Sequence, residues 1–344
     1  MPIIASKELK PPFYYFGNAH LQTVIPSLFR KVEGVYYQRE RINTPDGDFL
    51  DLDWSFAHHL NGDKSSKSQK NHYLPKKEVV ASKKLVIVSH GLEGSADRHY
   101  VKGVIKIMNA EGWDGLGWNC RSCSGELNRL PRFYHHGDTP DLALVISHAL
   151  EKYNYETIAL VGFSMGGSIT LKYFGERGDG ILTQVKKGIS FSVPCDLAAC
   201  SDELSKPNKM FYTRRFLKKL NKKIIEKAKL MPHQISAEPL KNIRIFRDFD
   251  NVYSSQLHGF QDANEYYYRA SSLHYLQGIR RPVLLVNTLN DPFLTTSCFP
   301  KEIAENHTFL HLEMPLQGGH VGFQRAGEQE TYAEMRTREW LADL

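Results

Sequence analysis

The chain has 344 residues, 41% of them apolar and 24% charged, which excludes a disordered or low-complexity protein and leaves one large or two medium globular domains. The net charge of +6 is mild, and much of the excess falls between Lys206 and Lys229, where ten lysines or arginines accompany one acid, Glu226. That is a local basic patch, so no nucleic-acid partner is expected.

The first residues, MPIIASKELK, lack the apolar core of a signal peptide. The longest uncharged apolar stretch, Thr157 to Leu171, is shorter than the ~20 residues needed to span a bilayer, so a cytoplasmic protein without an integral membrane segment is expected. An aromatic arm, PPFYYFGNAHLQTVIPSLF, leads to two alternating stretches, Val35 to Asn43 and Phe49 to Ala57. The turn-rich link TPDGD between them predicts an antiparallel hairpin. Residues 58–84 lose nearly all apolar content and read as a surface loop.

From residue 85 the rhythm changes. LVIVSHG is a short apolar strand, and a helix is predicted over about 98–111, followed by WDGLGWN and a loop holding Cys120 and Cys123. Their C-x-x-C spacing lacks the second pair of a zinc site. With Cys195, Cys200 and Cys298 they make no disulfide framework, so free thiols are expected. A helix begins at Thr139, which can cap it, with Pro140 in its first turn. TIALVGFS is another apolar strand, followed by the helix MGGSITLKYFGE. GISFSV, PVLLVNTL and TFLHLEM are further strands, and an amphipathic helix over about 325–342 closes the chain.

Apolar strands alternating with helices mean a mostly parallel, doubly wound α/β sheet, here with an antiparallel hairpin at its start. Almost ninety residues separate Val193 from Pro282, far more than a crossover needs. Within them Phe216, Leu217, Leu220, Ile224 and Ala228 recur at helical spacing with lysines between, on a face read as solvated. The expected organisation is one α/β domain over 1–344. Residues 1–84 form an arm, hairpin and polar loop, and 194–280 a helical cap over the C-terminal sheet edge, where such folds place their sites.

Gly162-Phe163-Ser164-Met165-Gly166 fits G-x-S-x-G between a strand and a helix. A turn that sharp leaves room only for small residues two before and two after the serine, whose hydroxyl then stands exposed above a helix N-terminus. Ser164 is therefore the candidate nucleophile, and it needs a base. In this fold the order is serine, acid, histidine. Asp291 follows the strand PVLLVNTLN, and His320 lies in the glycine-rich QGGHVGF. Asp248, Asp250 and Asp262 are rival acids inside the cap. The oxyanion donors are expected from the N–H of Met165 and from Leu92 in SHGLEGS, whereas His90 is read as structural.

With these residues placed, the chain resembles the YheT-like group of α/β-hydrolases, whose eukaryotic relatives include membrane-anchored lipid hydrolases and yeast medium-chain ester synthases. NAHLQT, HGLEGS, NCRSCSGELNRLPRFYHHGDTPDL, GFSMGGSITLKYFGE, FDNVYSSQLHGFQDANEYYYRASS, NDPFL and GGHVGF carry the resemblance over nearly the whole chain. By position it implies a triad at Ser164, Asp291 and His320 and oxyanion donors at Leu92 and Met165. Two departures stand out: Ser122 falls where the group usually has glycine, and the eukaryotic members' N-terminal membrane segment has no counterpart here.

The expected activity is a serine esterase working through an acyl-enzyme without metal or organic cofactor, and the aromatic content of the cap alone sets the expectation of short-to-medium acyl esters. Its partner is a small ester or lipid-like molecule. An acyltransferase, a lipase or a non-catalytic binding scaffold are the alternatives. Phe249, Tyr253, Phe260 and Tyr266 to Tyr268 are candidates for an acyl pocket, although such a stripe more often packs a core. The basic helix from Arg214 offers a surface for peripheral membrane contact.

Overall fold

The computed structural model describes residues 3–15, 17–57 and 80–344, so most of the polar loop expected over 58–84 lies outside the described residues. The strands are β1 (Ile3–Ile4), β2 (Gln38–Asn43), β3 (Phe49–Ser55), β4 (Lys84–Ser89), β5 (Asp114–Asn119), β6 (Thr157–Phe163), β7 (Val185–Phe191), β8 (Val283–Val286) and β9 (Leu310–Glu313). They form one sheet in the order β1-β9-β8-β7-β6-β4-β5-β3-β2. The hairpin β2–β3 and the β3–β5 pair are antiparallel, and every other pair is parallel.

Period-2 alternation explains the wholly apolar strands. Leu85, Ile87, Ile158, Leu160, Val283 and Leu285 pack into the core on one face, and Val86, Val88, Ala159, Val161, Leu284 and Val286 into that on the other. Each valine, leucine or isoleucine among them contributes roughly 1.5–3 kcal/mol by leaving water. The hairpin follows another logic. Asp51 and Asp53 are buried on β3 and take Arg41 and Arg39 of β2 in two-pronged ion pairs.

Helices cover both faces. α1 (Ala19–Phe29) precedes the hairpin, and α2 (His99–Ala110) packs beneath the sheet with the C-terminal helix Tyr332–Trp340. On the opposite face lie α3 (Thr139–Lys152) and α4 (Met165–Arg177). Between β7 and β8 run α5 (Leu197–Leu204), α6 (Met210–Leu230) and a series of short turns ending in the helix Ala263–Ala270.

The N-terminal arm holds two elements that the sequence reading did not name: Asn18 caps α1 by accepting from the N–H groups of His20 and Leu21, and β1 pairs with β9. Three local expectations change. Thr139 is the first helical residue of α3 and not its cap, because its hydroxyl donates to Glu176 instead of closing the helix end. The last helix starts only at Tyr332, where Thr331 and Glu334 form a reciprocal capping box. The lysine face of α6 is not simply solvated: Lys223 pairs with buried Glu93 at 2.6 Å, and Lys227 is buried, donating to the carbonyls of Leu130, Pro131 and Arg132.

Candidate active site

Ser164 sits between β6 and α4 with φ 54° and ψ −120°, a left-handed conformation that costs a non-glycine residue on the order of 1–3 kcal/mol. Its neighbours hold it there. Its N–H donates to the Phe191 carbonyl at 2.9 Å, and its own carbonyl accepts from Ser168 at 3.0 Å, starting the helix. A Cβ on Gly162 would lie 2.3 Å from the Gly166 carbonyl oxygen, and one on Gly166 would lie 2.3 Å from that of Ser89. The two glycines of the motif are thus required by contact.

His320 brings Nε2 within 3.0 Å of Ser164 Oγ. Its Nδ1 lies 2.9 Å from Asp291 Oδ2 and 3.1 Å from Oδ1. With the Nδ1 proton donated to Asp291, Nε2 is the free acceptor for the serine proton. Asp291, whose side chain is fully buried, also accepts from the Phe293 N–H at 2.9 Å. The Phe293 ring stacks on the imidazole, centroids 3.9 Å apart and planes at 13°. The rival acids are elsewhere: Asp248 accepts from the N–H groups of Arg244 and Ile245, Asp250 holds Tyr267 and Ser254, and Asp262 caps the helix Ala263–Ala270.

Sequence reasoning missed the supports of the histidine loop. Thr23 Oγ1 accepts from the His320 N–H at 2.9 Å, and Gln22 Oε1 accepts from the Gly318 N–H at 2.7 Å. Gln22 also takes a hydrogen bond from Asn290, whose own Oδ1 accepts from Gly319. Their one sequence signal is the polar pair inside NAHLQT, on a helix too short to show a clear periodicity.

Leu92 and Met165 flank the serine. The N–H groups of Gly91, Glu93 and Gly94 are taken by the Tyr100 hydroxyl, the Tyr134 hydroxyl and the Gly91 carbonyl. Those of Leu92 and Met165 have no acceptor among the described residues. His90 steadies this loop: Cys120 N–H donates to its Nε2 at 3.1 Å, so Nδ1 donates to the Gly91 carbonyl at 2.7 Å. Burial lowers its pKa to about 4 and keeps it neutral. Ser122, with φ 63°, keeps the left-handed turn for which glycine is usual, and its hydroxyl is held by Asn128.

The alpha/beta hydrolase fold family matches this chain over residues 84–307. The chain belongs to that family. Within it the chain falls in the YheT-like group: it is 31% identical to YheT of Escherichia coli, described as a candidate esterase, over 96% of this chain and 92% of that protein. It is also 27% identical to human phospholipase ABHD3, over 91% and 73%, and 28% identical to the monoacylglycerol lipase of Saccharomyces cerevisiae, over 92% and 77%. Among solved structures, the Pyrococcus furiosus esterase Pf2001 shares the fold, with a TM-score of 0.55 at 16% identity over 98% of both chains.

In this hydrolase two cavities open on Ser164, and Leu92, Phe216, Phe293 and His320 line both. The larger encloses about 1040 Å³, open mouth included, at the upper end of what small-ligand sites offer. Phe249, Tyr253, Tyr266 and Tyr267 line it. Phe260 and Tyr268 do not; Tyr268 is exposed, and Phe260 meets His135 edge to face and Tyr266 at a tilt. Among the described residues all five cysteines are free thiols, and no cluster of three or more metal-binding side chains occurs. No helix there is long and apolar enough to cross a membrane.

Proposed function

We propose that this hydrolase is a serine esterase that cleaves carboxylic esters through an acyl-enzyme on Ser164. The observation that carries the reading is the continuous relay from Ser164 Oγ to His320 Nε2 and from Nδ1 to Asp291. As Oγ attacks the ester carbonyl carbon, Nε2 takes its proton, and Asp291 stabilises the imidazolium. The carbonyl oxygen becomes an oxyanion beside the unengaged N–H groups of Leu92 and Met165, each worth about 3 kcal/mol in comparable sites. The intermediate collapses, and the alcohol leaves with the proton from Nε2. Water, deprotonated by the same nitrogen, then releases the acid and regenerates Ser164.

The esterase and lipase names of its relatives agree with this chemistry. The aromatic cavity supports an apolar acyl half of short-to-medium length. A fluorophosphonate probe tests the nucleophile: the folded protein is labelled and Ser164→Ala is not. Equal labelling of the variant, or none in the parent, would overturn the mechanism. A series of p-nitrophenyl esters tests the acyl preference, with kcat/KM expected to peak at medium chains; a continued rise to long chains would overturn it.

A further inference from the structure

The second cavity at Ser164 has a different chemistry from the first. Arg98, Arg215 and Lys219 line it, and no carboxylate does. Arg98 and Lys219 each donate to the same carbonyl, that of Glu93, at 3.2 Å, which sets both charges beside the Leu92 loop. None of the three cations meets a carboxylate at ion-pair distance among the described residues. The nearby acids are committed: Glu93 to Lys223 and Tyr134, and Asp97 to Lys102. Desolvation lowers the Lys219 pKa, and the neighbouring Arg98 lowers it further.

His320 lines both cavities, so an alcohol held in either can collect its proton from Nε2 as it departs. An apolar chamber suits the acyl half, so the cationic one receives the alcohol. We propose that this second cavity is an anion-binding subsite for the alcohol half, which makes esters of phosphate-bearing alcohols better substrates than their neutral counterparts. The inference rests on the esterase reading above and adds a substrate class to it. The phosphate is a recognition handle only: the acyl C–O bond breaks, and the phosphate stays on the released alcohol. Guanidinium groups suit phosphate because their paired N–H donors match its oxygens.

The test compares kcat/KM for 1-acylglycerol 3-phosphate and 1-acylglycerol with the same medium acyl chain, both below their aggregation concentrations. At low salt the phosphate ester should be favoured about tenfold or more, and the ratio should shrink as salt screens the cations. Lys219→Gln and Arg215→Gln should each move the ratio towards one, and the double variant further. Lys219→Arg should retain it, as should Lys218→Gln, an exposed neighbour on α6 that lines neither cavity. Both substrates are measured on one preparation, so partial misfolding cancels.

Glycerol 3-phosphate should inhibit neutral-ester hydrolysis competitively and better than inorganic phosphate. Equal inhibition by the two, with a substrate ratio near one, would reveal a free-anion site and overturn the proposal. A ratio that survives the double variant would overturn it too. Neutral-ester hydrolysis that persists in Ser164→Ala would instead bring down the esterase reading itself.

Discussion

The nucleophile turn and the histidine loop meet within 3.0 Å, yet they are held in opposite ways. The turn is closed by backbone against backbone: Gly162 against Gly166, Gly166 against the strand end at Ser89. The loop hangs from side chains on α1, Gln22 and Thr23, almost 300 residues earlier in the chain. Backbone contact allows no substitution but asks for no distant partner. Side-chain anchoring tolerates a change in the loop itself, but it makes the site depend on an N-terminal helix with no chemistry of its own.

The largest expected effect comes from breaking the junction. His320→Ala should lower kcat for a simple ester by roughly 10⁴-fold or more, as removing a triad base does elsewhere, with the fold intact by circular dichroism. On the turn side, Gly166→Ala forces a Cβ to 2.3 Å from a backbone oxygen that cannot move alone. Overpacking there should cost about 3 kcal/mol or more, read as a lower denaturation midpoint or as insoluble protein. A soluble, fully active variant would contradict the account of the turn.

On the loop side, Gln22→Ala leaves the buried Gly318 N–H without its acceptor, at a cost of about 1–3 kcal/mol. The loosened histidine should lower kcat some 10- to 100-fold with KM little changed. Thr23→Val removes one acceptor at similar volume and should cost about 1 kcal/mol, with a smaller drop in kcat. If both variants keep full activity, the loop does not depend on α1.

Acid should act on the whole frame, and more gently. Burial lowers the pKa of His90, His136 and His258 to about 4 and that of His99 to about 3. Between those values and the ordinary 6.5 the unfolded chain binds protons that the native one refuses, so stability is lost as pH falls through that window. Asp53, Asp138, Asp250 and Glu334, raised by burial, act in the opposite sense, four carboxyls against the eight histidines that are lowered among the described residues. The unfolding temperature should therefore drop steadily from pH 6.5 to 4. A flat profile would mean that these histidines are not held neutral.

The hairpin, the strands β4 and β6 to β9, the α/β class and the candidates Ser164, Asp291 and His320 were legible in the sequence, because each leaves a local mark, whereas β1 and β5 were not read as strands. An apolar run, a small–x–Ser–x–small turn, an acid after a strand and a histidine between glycines are all patterns within a few residues. The arm was harder: α1 is capped by Asn18 but carries Pro26 inside it, and its buried residues are Gln22, Thr23 and Pro26 instead of an apolar stripe. Thr139 misled as a cap because the same hydroxyl serves a tertiary partner, Glu176.

The sequence by itself determined what short-range sterics and burial dictate: a doubly wound sheet and a serine forced into a tight turn beyond one of its strands. Only the tertiary structure decided what hangs on long-range neighbours. It brought α1 to the histidine loop, divided the α6 lysines between Glu93 and the Leu130–Arg132 carbonyls, and gave Ser164 one apolar and one cationic neighbour cavity. Charge and hydrogen bonding act through space over a few ångströms, and no spacing along the chain encodes which side chains the fold carries within that distance.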